Sequence, residues 1–123
     1  MQVRTVTPIL RMFDEEKTRA FYVDYLGCEI DWEHRFEPDF PLYMQVSLGG
    51  CVLHLSEHHG DCSPGAALRL AVGDVRALHA ELSSKSYPYA RPGVESAPWG
   101  TLELTVTDPS GNRLVFYEPS ADD

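Results

Sequence analysis

The chain repeats itself at an offset of 60 residues, and this repeat restricts its possible folds more than any other feature. Setting Asp14 on Asp74 brings Leu10 onto Leu70, Met12 onto Val72 and Ala20 onto Ala80. Each aspartate follows a β-branched, apolar segment and precedes an amphipathic one, so each reads as the N-cap of a helix fed by a strand. In the first copy Arg4 to Met12 is the strand. Asp14-Glu15-Glu16-Lys17 opens the helix with acids in its first turn, Ala20, Phe21, Tyr25 and Leu26 share one face, and Gly27 is the stop. Cys28 to Phe36 reads as extended, Glu37 to Pro41 as a loop, and Leu42 to Leu48 and Cys51 to Ser56 as strands hinged at Gly49-Gly50.

The pattern restarts after the polar loop Glu57 to Gly65. Ala66 to Val72 is a strand, and Val75, Leu78 and Leu82 fall at i, i+3 and i+7 of a helix. Tyr87-Pro88-Tyr89-Ala90 follows, then the strand Gly100 to Thr107, the turn Asp108-Pro109-Ser110-Gly111-Asn112 and the strand Arg113 to Glu118. The expectation is a single α+β domain over residues 1–123 made of two β-α-β-β-β copies, at about 4–57 and 66–118. One copy alone has an open apolar sheet face and an unpaired edge, so it must meet the other copy or a second chain. Together the copies form a curved mixed sheet, and the cleft it encloses is walled by alternate strand residues.

At 123 residues the chain is too short for a TIM barrel or a two-domain dehydrogenase. Ten Lys and Arg stand against 19 Asp and Glu, a net charge of −9 that argues against nucleic acid and is compatible with a cationic small molecule or with simple solubility. Cys28, Cys51 and Cys62 are odd in number without C-x-x-C spacing, and no apolar leader opens the sequence. Free thiols, a cytoplasmic location and no membrane partner are expected.

Two stretches carry the residue types of a site. Glu29, Asp31, Glu33, Glu37 and Asp39 face Arg35 alone, interleaved with Trp32, Phe36 and Phe40, which suits either a flat cation or a solvated surface. The run His54-Leu55-Ser56-Glu57-His58-His59-Gly60-Asp61-Cys62 holds metal-ligand residue types, but it matches neither H-E-x-x-H nor a zinc-finger spacing and reads as a polar hairpin loop. Cys62 has no flanking Lys or Arg to activate it.

Phe21-Tyr22 followed by Leu26-Gly27, the helix start Asp74-Val75, and Asp108-Pro109-Ser110-Gly111-Asn112 before the last strand are similar to the vicinal oxygen chelate superfamily over essentially the whole chain. That superfamily includes glyoxalase I, extradiol dioxygenases and bleomycin resistance proteins. Its enzymes hold a divalent metal with His and Glu near four strands; here those positions are Thr7, His54, Ala67 and Val115, and only His54 is a good ligand. The resemblance therefore implies no metal, no cofactor and no catalytic residue. Ala97-Pro98-Trp99-Gly100 resembles the bleomycin resistance branch. It implies that Trp99 stacks on a drug ring, that Gly100 lets the drug approach the backbone, and that His54 replaces a second stacking aromatic. Pro8 falls where an N-terminal arm crosses to a partner in an arm-swapped homodimer. The implied function is non-catalytic sequestration of a cationic glycopeptide antibiotic in a dimer-interface groove, with Trp99, Gly100, His54, Trp32, Phe36 and Phe40 in contact. The alternative is a metal-dependent lyase or dioxygenase of the glyoxalase type, with a metal site rebuilt around His54.

Overall fold

Asp14 and Asp74 both have extended backbone, and each carboxylate accepts the N–H three residues on, that of Lys17 and of Ala77, at 2.9 Å. Each cap satisfies an amide that the helix itself cannot. The computed structural model describes residues 1–120. In order these form β1 (Ile9–Arg11), α1 (Glu15–Arg19) continuing as a π-helical segment (Ala20–Tyr25), β2 (Glu29–His34), β3 (Tyr43–Leu48) and β4 (Cys51–Ser56). The second copy is β5 (Ala67–Ala71), α2 (Val75–Ser83), β6 (Val94–Ala97), β7 (Thr101–Thr107) and β8 (Arg113–Pro119). Each copy builds its own sheet, β1-β4-β3-β2 and β5-β8-β7-β6, with the first strand parallel to the last and the other pairs antiparallel. The α+β fold and the duplicated β-α-β-β-β order follow the repeat in the sequence.

Three local features differ from the expectation. The first strand is Ile9–Arg11 rather than Arg4 to Met12. The Pro8 carbonyl accepts the His54 N–H at 3.0 Å, but in a parallel ladder the same residue must also donate back, and proline has no N–H. Pairing therefore ends at Pro8, and residues 1–7 leave the sheet. In the second copy the strand after α2 is Val94–Ala97, while Pro88-Tyr89 form a turn and Tyr87 stacks on Tyr25 at 4.4 Å. The first helix buries Phe21, Tyr22, Tyr25 and Leu26, with Ala20 only half-buried. Its wider final turn, with Leu26 N–H donating to Phe21 O at 2.9 Å, brings Tyr22 inward as well.

Both sheets contribute to one core: Met44, Val46, Leu53 and Leu55 from the first, Leu104, Val106, Leu114 and Phe116 from the second, with Phe21, Tyr25, Val75 and Leu82 from the helical segments. A buried polar knot joins the copies. The Asp108 carboxylate accepts the Tyr22 hydroxyl (2.5 Å), the N–H groups of Ser110 (2.8 Å) and Asn112 (2.9 Å), and the Asn112 amide (2.8 Å), while that amide also donates to Arg11 O at 2.9 Å. Burial, reinforced by the Asp108 charge, raises the Tyr22 hydroxyl pKa far above its usual value, so it remains a donor. Among the described residues no strand of one sheet pairs with a strand of the other, so β1 and β5 each keep one open edge. No described helix is long and apolar enough to cross a membrane.

Asp108→Ala removes the acceptor for one buried hydroxyl, two backbone N–H groups and one N–H of the Asn112 side-chain amide. The expected loss is on the order of 3–5 kcal/mol, read as a lower urea midpoint at an unchanged slope. An unchanged midpoint would contradict the role given to the knot.

Candidate functional site

The core takes Met44, Val46, Leu53 and Leu55, so strand alternation turns Tyr43, Gln45, Ser47 and His54 to the other face of the first sheet. The two-residue turn Gly49-Gly50, with Gly49 at φ 59°, pairs Leu48 with Cys51 and so sets Gln45 opposite His54. The register of β2 shifts between Ile30 and Trp32, leaving Asp31 as an extra residue. This bulge turns both Asp31 and Trp32 to the same face: Trp32 pairs with Gln45, and the Asp31 carboxylate accepts from Gln45 Nε2 (2.9 Å) and Ser47 Oγ (3.0 Å).

Trp32, 42% exposed, stacks on Tyr43 at 5.8 Å and 8°, and the His54 ring meets both edge-on at 5.3 and 5.2 Å. Tyr43 Oη lies 2.6 Å from His54 Nδ1, and His54 Nε2 lies 3.0 Å from Gln45 Oε1. Asp31, Gln45, His54 and Tyr43 thus form one hydrogen-bonded chain across three strands. Burial, with Asp61 and Cys62 nearby, raises the Tyr43 pKa, which keeps its hydroxyl protonated. Phe36 sits edge-on to His34 (4.6 Å) and His58 (6.0 Å) at the margin of this face. Phe40 makes no ring contact among the described residues, and its carbonyl accepts from Arg35 at 2.9 Å.

The His54 to Cys62 run folds around a cation that the local sequence did not announce. Arg11, 4% exposed, donates to the carbonyls of Ser56 (3.1 Å), His59 (3.1 Å) and Cys62 (2.5 Å), while Ser56 Oγ donates to Asp61 at 2.6 Å. A metal does not fit the position the fold offers it. Both His54 ring nitrogens are engaged, β1 and β5 place Ile9 beside His54 and Arg69 beside Val115, and Thr7, Ala67 and Val115 supply no imidazole or carboxylate. Among the described residues no group of three His, Cys, Asp or Glu side chains is close enough to hold an ion. Burial, with Cys51 adding to it, pushes the Cys28 thiol up to about 12, so it is inert; Cys51 and Cys62 are half-buried.

The second sheet presents a corresponding face. Leu104 and Val106 point inward, and Thr101 and Glu103 point outward beside Arg69 and Tyr117. Glu103 Oε2 accepts from Arg69 (2.9 Å), Thr101 Oγ1 (2.6 Å) and Trp99 Nε1 (2.9 Å). These three donors, Arg69 foremost, hold the Glu103 carboxyl at about 2. The Arg69 guanidinium also lies 4.4 Å over the Tyr117 ring. Trp99 stands in the turn between β6 and β7, pinned at its ring nitrogen and 67% exposed. Gly100 has φ 89°, a left-handed conformation that favours glycine.

Trp99 and Gly100 therefore lie on the second sheet, and Trp32 and His54 on the first; among the described residues no hydrogen bond or ring contact joins the two sets. Grooves of about 730 Å³ beside Tyr25, Lys85 and Tyr87, and of about 770 Å³ between the Gly49-Gly50 turn and α2, are lined by none of these four. Tyr43, Gln45, Arg69, Glu103 and Tyr117 were absent from the residues singled out in the sequence. Period-two alternation about Met44, Val46, Leu104 and Phe116 is the signal that could have found them.

A family model described as glyoxalase superfamily protein matches residues 1–123. No curated protein matches the chain. The bleomycin-binding protein of bleomycin-producing Streptomyces verticillus, solved with copper(II)-bleomycin, is 30% identical, with 100% of this chain and 99% of that chain covered and a TM-score of 0.70. The antibiotic binding protein TnmS3 of Streptomyces sp. CB03234 is 26% identical, with 98% and 99% covered and a TM-score of 0.71. A glyoxalase-related enzyme from Clostridium phytofermentans shares the fold, at 21% identity, 97% coverage of both chains and a TM-score of 0.73.

A carboxylate held down by fixed donors contributes stability that is full above its ordinary value of 4.5 and is lost as the pH falls through about 2. Carboxyl NMR titration is expected to place the Glu103 midpoint near 2 in the native chain and higher in Arg69→Gln. An ordinary midpoint in the native chain would show that the three donors do not converge.

Proposed function

Because this chain belongs to the glyoxalase superfamily, we propose that it is a non-catalytic, dimeric binding protein that sequesters a flat, cationic antibiotic of the bleomycin type. One observation carries this reading: each sheet has a face bearing an exposed tryptophan, Trp32 on one and Trp99 on the other, that no element among the described residues packs over. In the proposed homodimer the Trp32 face of one copy meets the Trp99 face of its partner, and twofold symmetry makes two such grooves. Residues 1–7, released from the sheet at Pro8 with Val3 and Val6 exposed, are the arm that crosses to the partner.

The drug lies between Trp32 and Trp99, its flat ring against the indole faces and its charge in the field of a chain carrying −9. Gly100 keeps the backbone beside Trp99 open to it, His54 and Phe36 line the opposite wall, and Phe40 reaches it from the loop after β2. The similarity to proteins described as antibiotic binding and bleomycin binding supports the ligand class. The lack of a fitting donor set at Thr7, His54, Ala67 and Val115 supports holding rather than turning over the ligand. Resistance then follows from sequestration in the cytoplasm.

Calorimetric titration of EDTA-treated protein with metal-free and copper-loaded bleomycin is expected to give sub-micromolar binding at one drug per chain. Trp99→Ala weakens it about tenfold or more. Equal affinities for the native and Trp99→Ala proteins would refute the stacking role, and no binding of either form would refute the ligand class.

A further inference from the structure

The hydrogen-bond polarity of the Trp32 face starts at Asp31. Asp31 is a carboxylate and only accepts, so the Gln45 group 2.9 Å away is its amide nitrogen. Ser47 Oγ holds the other Asp31 oxygen at 3.0 Å, which locks this arrangement. Gln45 therefore turns its carbonyl oxygen to His54 Nε2, 3.0 Å away. That oxygen also only accepts, so Nε2 carries a proton, and in the neutral form of the ring Nδ1 is then the acceptor. The Tyr43 hydroxyl, 2.6 Å from Nδ1, gives its one proton there. What remains at Tyr43 Oη is lone pairs, and no donor among the described residues reaches them.

We infer that Tyr43 Oη is an acceptor-only point in the groove and selects flat ligands that carry an N–H donor at the ring edge over equally flat cations that lack one. The inference rests on the flat-cation reading of this groove and adds the chemistry of the ligand's edge. Trp32 supplies the platform: its ring is parallel to Tyr43 within 8°, so a ligand stacked on the indole lies parallel to the phenol. Tyr43 is half-buried on the same sheet face as Trp32 and His54. A flat ligand that covers this oxygen without donating to it leaves a polar atom unsatisfied, which is the asymmetry that makes hydrogen-bond recognition discriminating. In this scheme Tyr43 is the binding residue, and His54 is a positioning residue that takes the hydroxyl proton out of the groove. A phenylalanine at position 54 could stack but could not set that polarity.

Proflavine and acridine orange test this directly. Both are used as their 10-methyl acridinium cations, so that the ring nitrogen bears no proton in either; the two ring amino groups then carry N–H in the proflavine cation and are fully methylated in the acridine orange cation. Fluorescence titration of the intact protein gives the ratio of their dissociation constants. In Tyr43→Phe, an isosteric change, the preference for proflavine is expected to fall about tenfold, with acridine orange nearly unchanged. His54→Phe lowers the same preference although the tyrosine remains, because its hydroxyl proton is set free. Trp32→Ala weakens both dyes and leaves the ratio alone. A ratio that stays within about twofold in Tyr43→Phe overturns the inference while the flat-cation reading stands. Failure of the native protein to bind either dye overturns that reading and this inference with it.

Discussion

A β-sheet buries one face for each layer packed on it, and in this chain the inner faces of both sheets are used on the same core. Met44, Val46, Leu53 and Leu55 meet Leu104, Val106, Leu114 and Phe116 through the helical segments, and alternation then dictates what lies on the other side. The outer faces carry Trp32, Tyr43, His54 and Gln45 on one sheet and Trp99, Glu103, Arg69 and Tyr117 on the other. Their hydrogen bonds run within each face rather than out to solvent at random. Two surfaces joined by no hydrogen bond or ring contact among the described residues, and a first strand on each sheet with an open edge, are what the proposed homodimer would bring together.

What holds the two faces in relation to one another is polar and buried. Asp108 gathers Tyr22, Ser110 and Asn112, and Asn112 reaches back to the Arg11 carbonyl, so the helix and first strand of one copy are tied to the last turn of the other. Arg11 in turn organises the loop that flanks the Trp32 face. Position is thereby set by groups outside the two faces.

Much of the fold was legible in the sequence because the repeat and the helix caps act locally: Asp14 and Asp74 accept from the residues their spacing indicates, and Gly49-Gly50 fixes the hairpin register. The short first strand was legible only in part, since the missing N–H of Pro8 is evident while its place in a parallel ladder is not. Trp32, His54 and Trp99 stood out as single residues of the right type. The network around them did not, because the β2 bulge that places Asp31 beside Gln45 leaves no mark in the composition, and Glu103 meets Arg69 only through the pairing of β5, β8 and β7. Likewise the metal-like run from His54 to Cys62 could be read as a loop, but Arg11, 43 residues earlier than His54, is what shapes it.

The central claim is that each groove takes one wall from each of two copies, and subunit mixing tests it most directly. Trp32→Ala chains have a defective first face and an intact second one; Trp99→Ala chains are the reverse. Refolded separately, each variant should bind bleomycin weakly. Refolded together, the mixed dimers should regain one intact groove of native affinity, so the mixture binds tightly where neither parent does. A mixture that binds no better than the average of its parents would mean that both tryptophans act from the same chain, and the shared groove would be wrong.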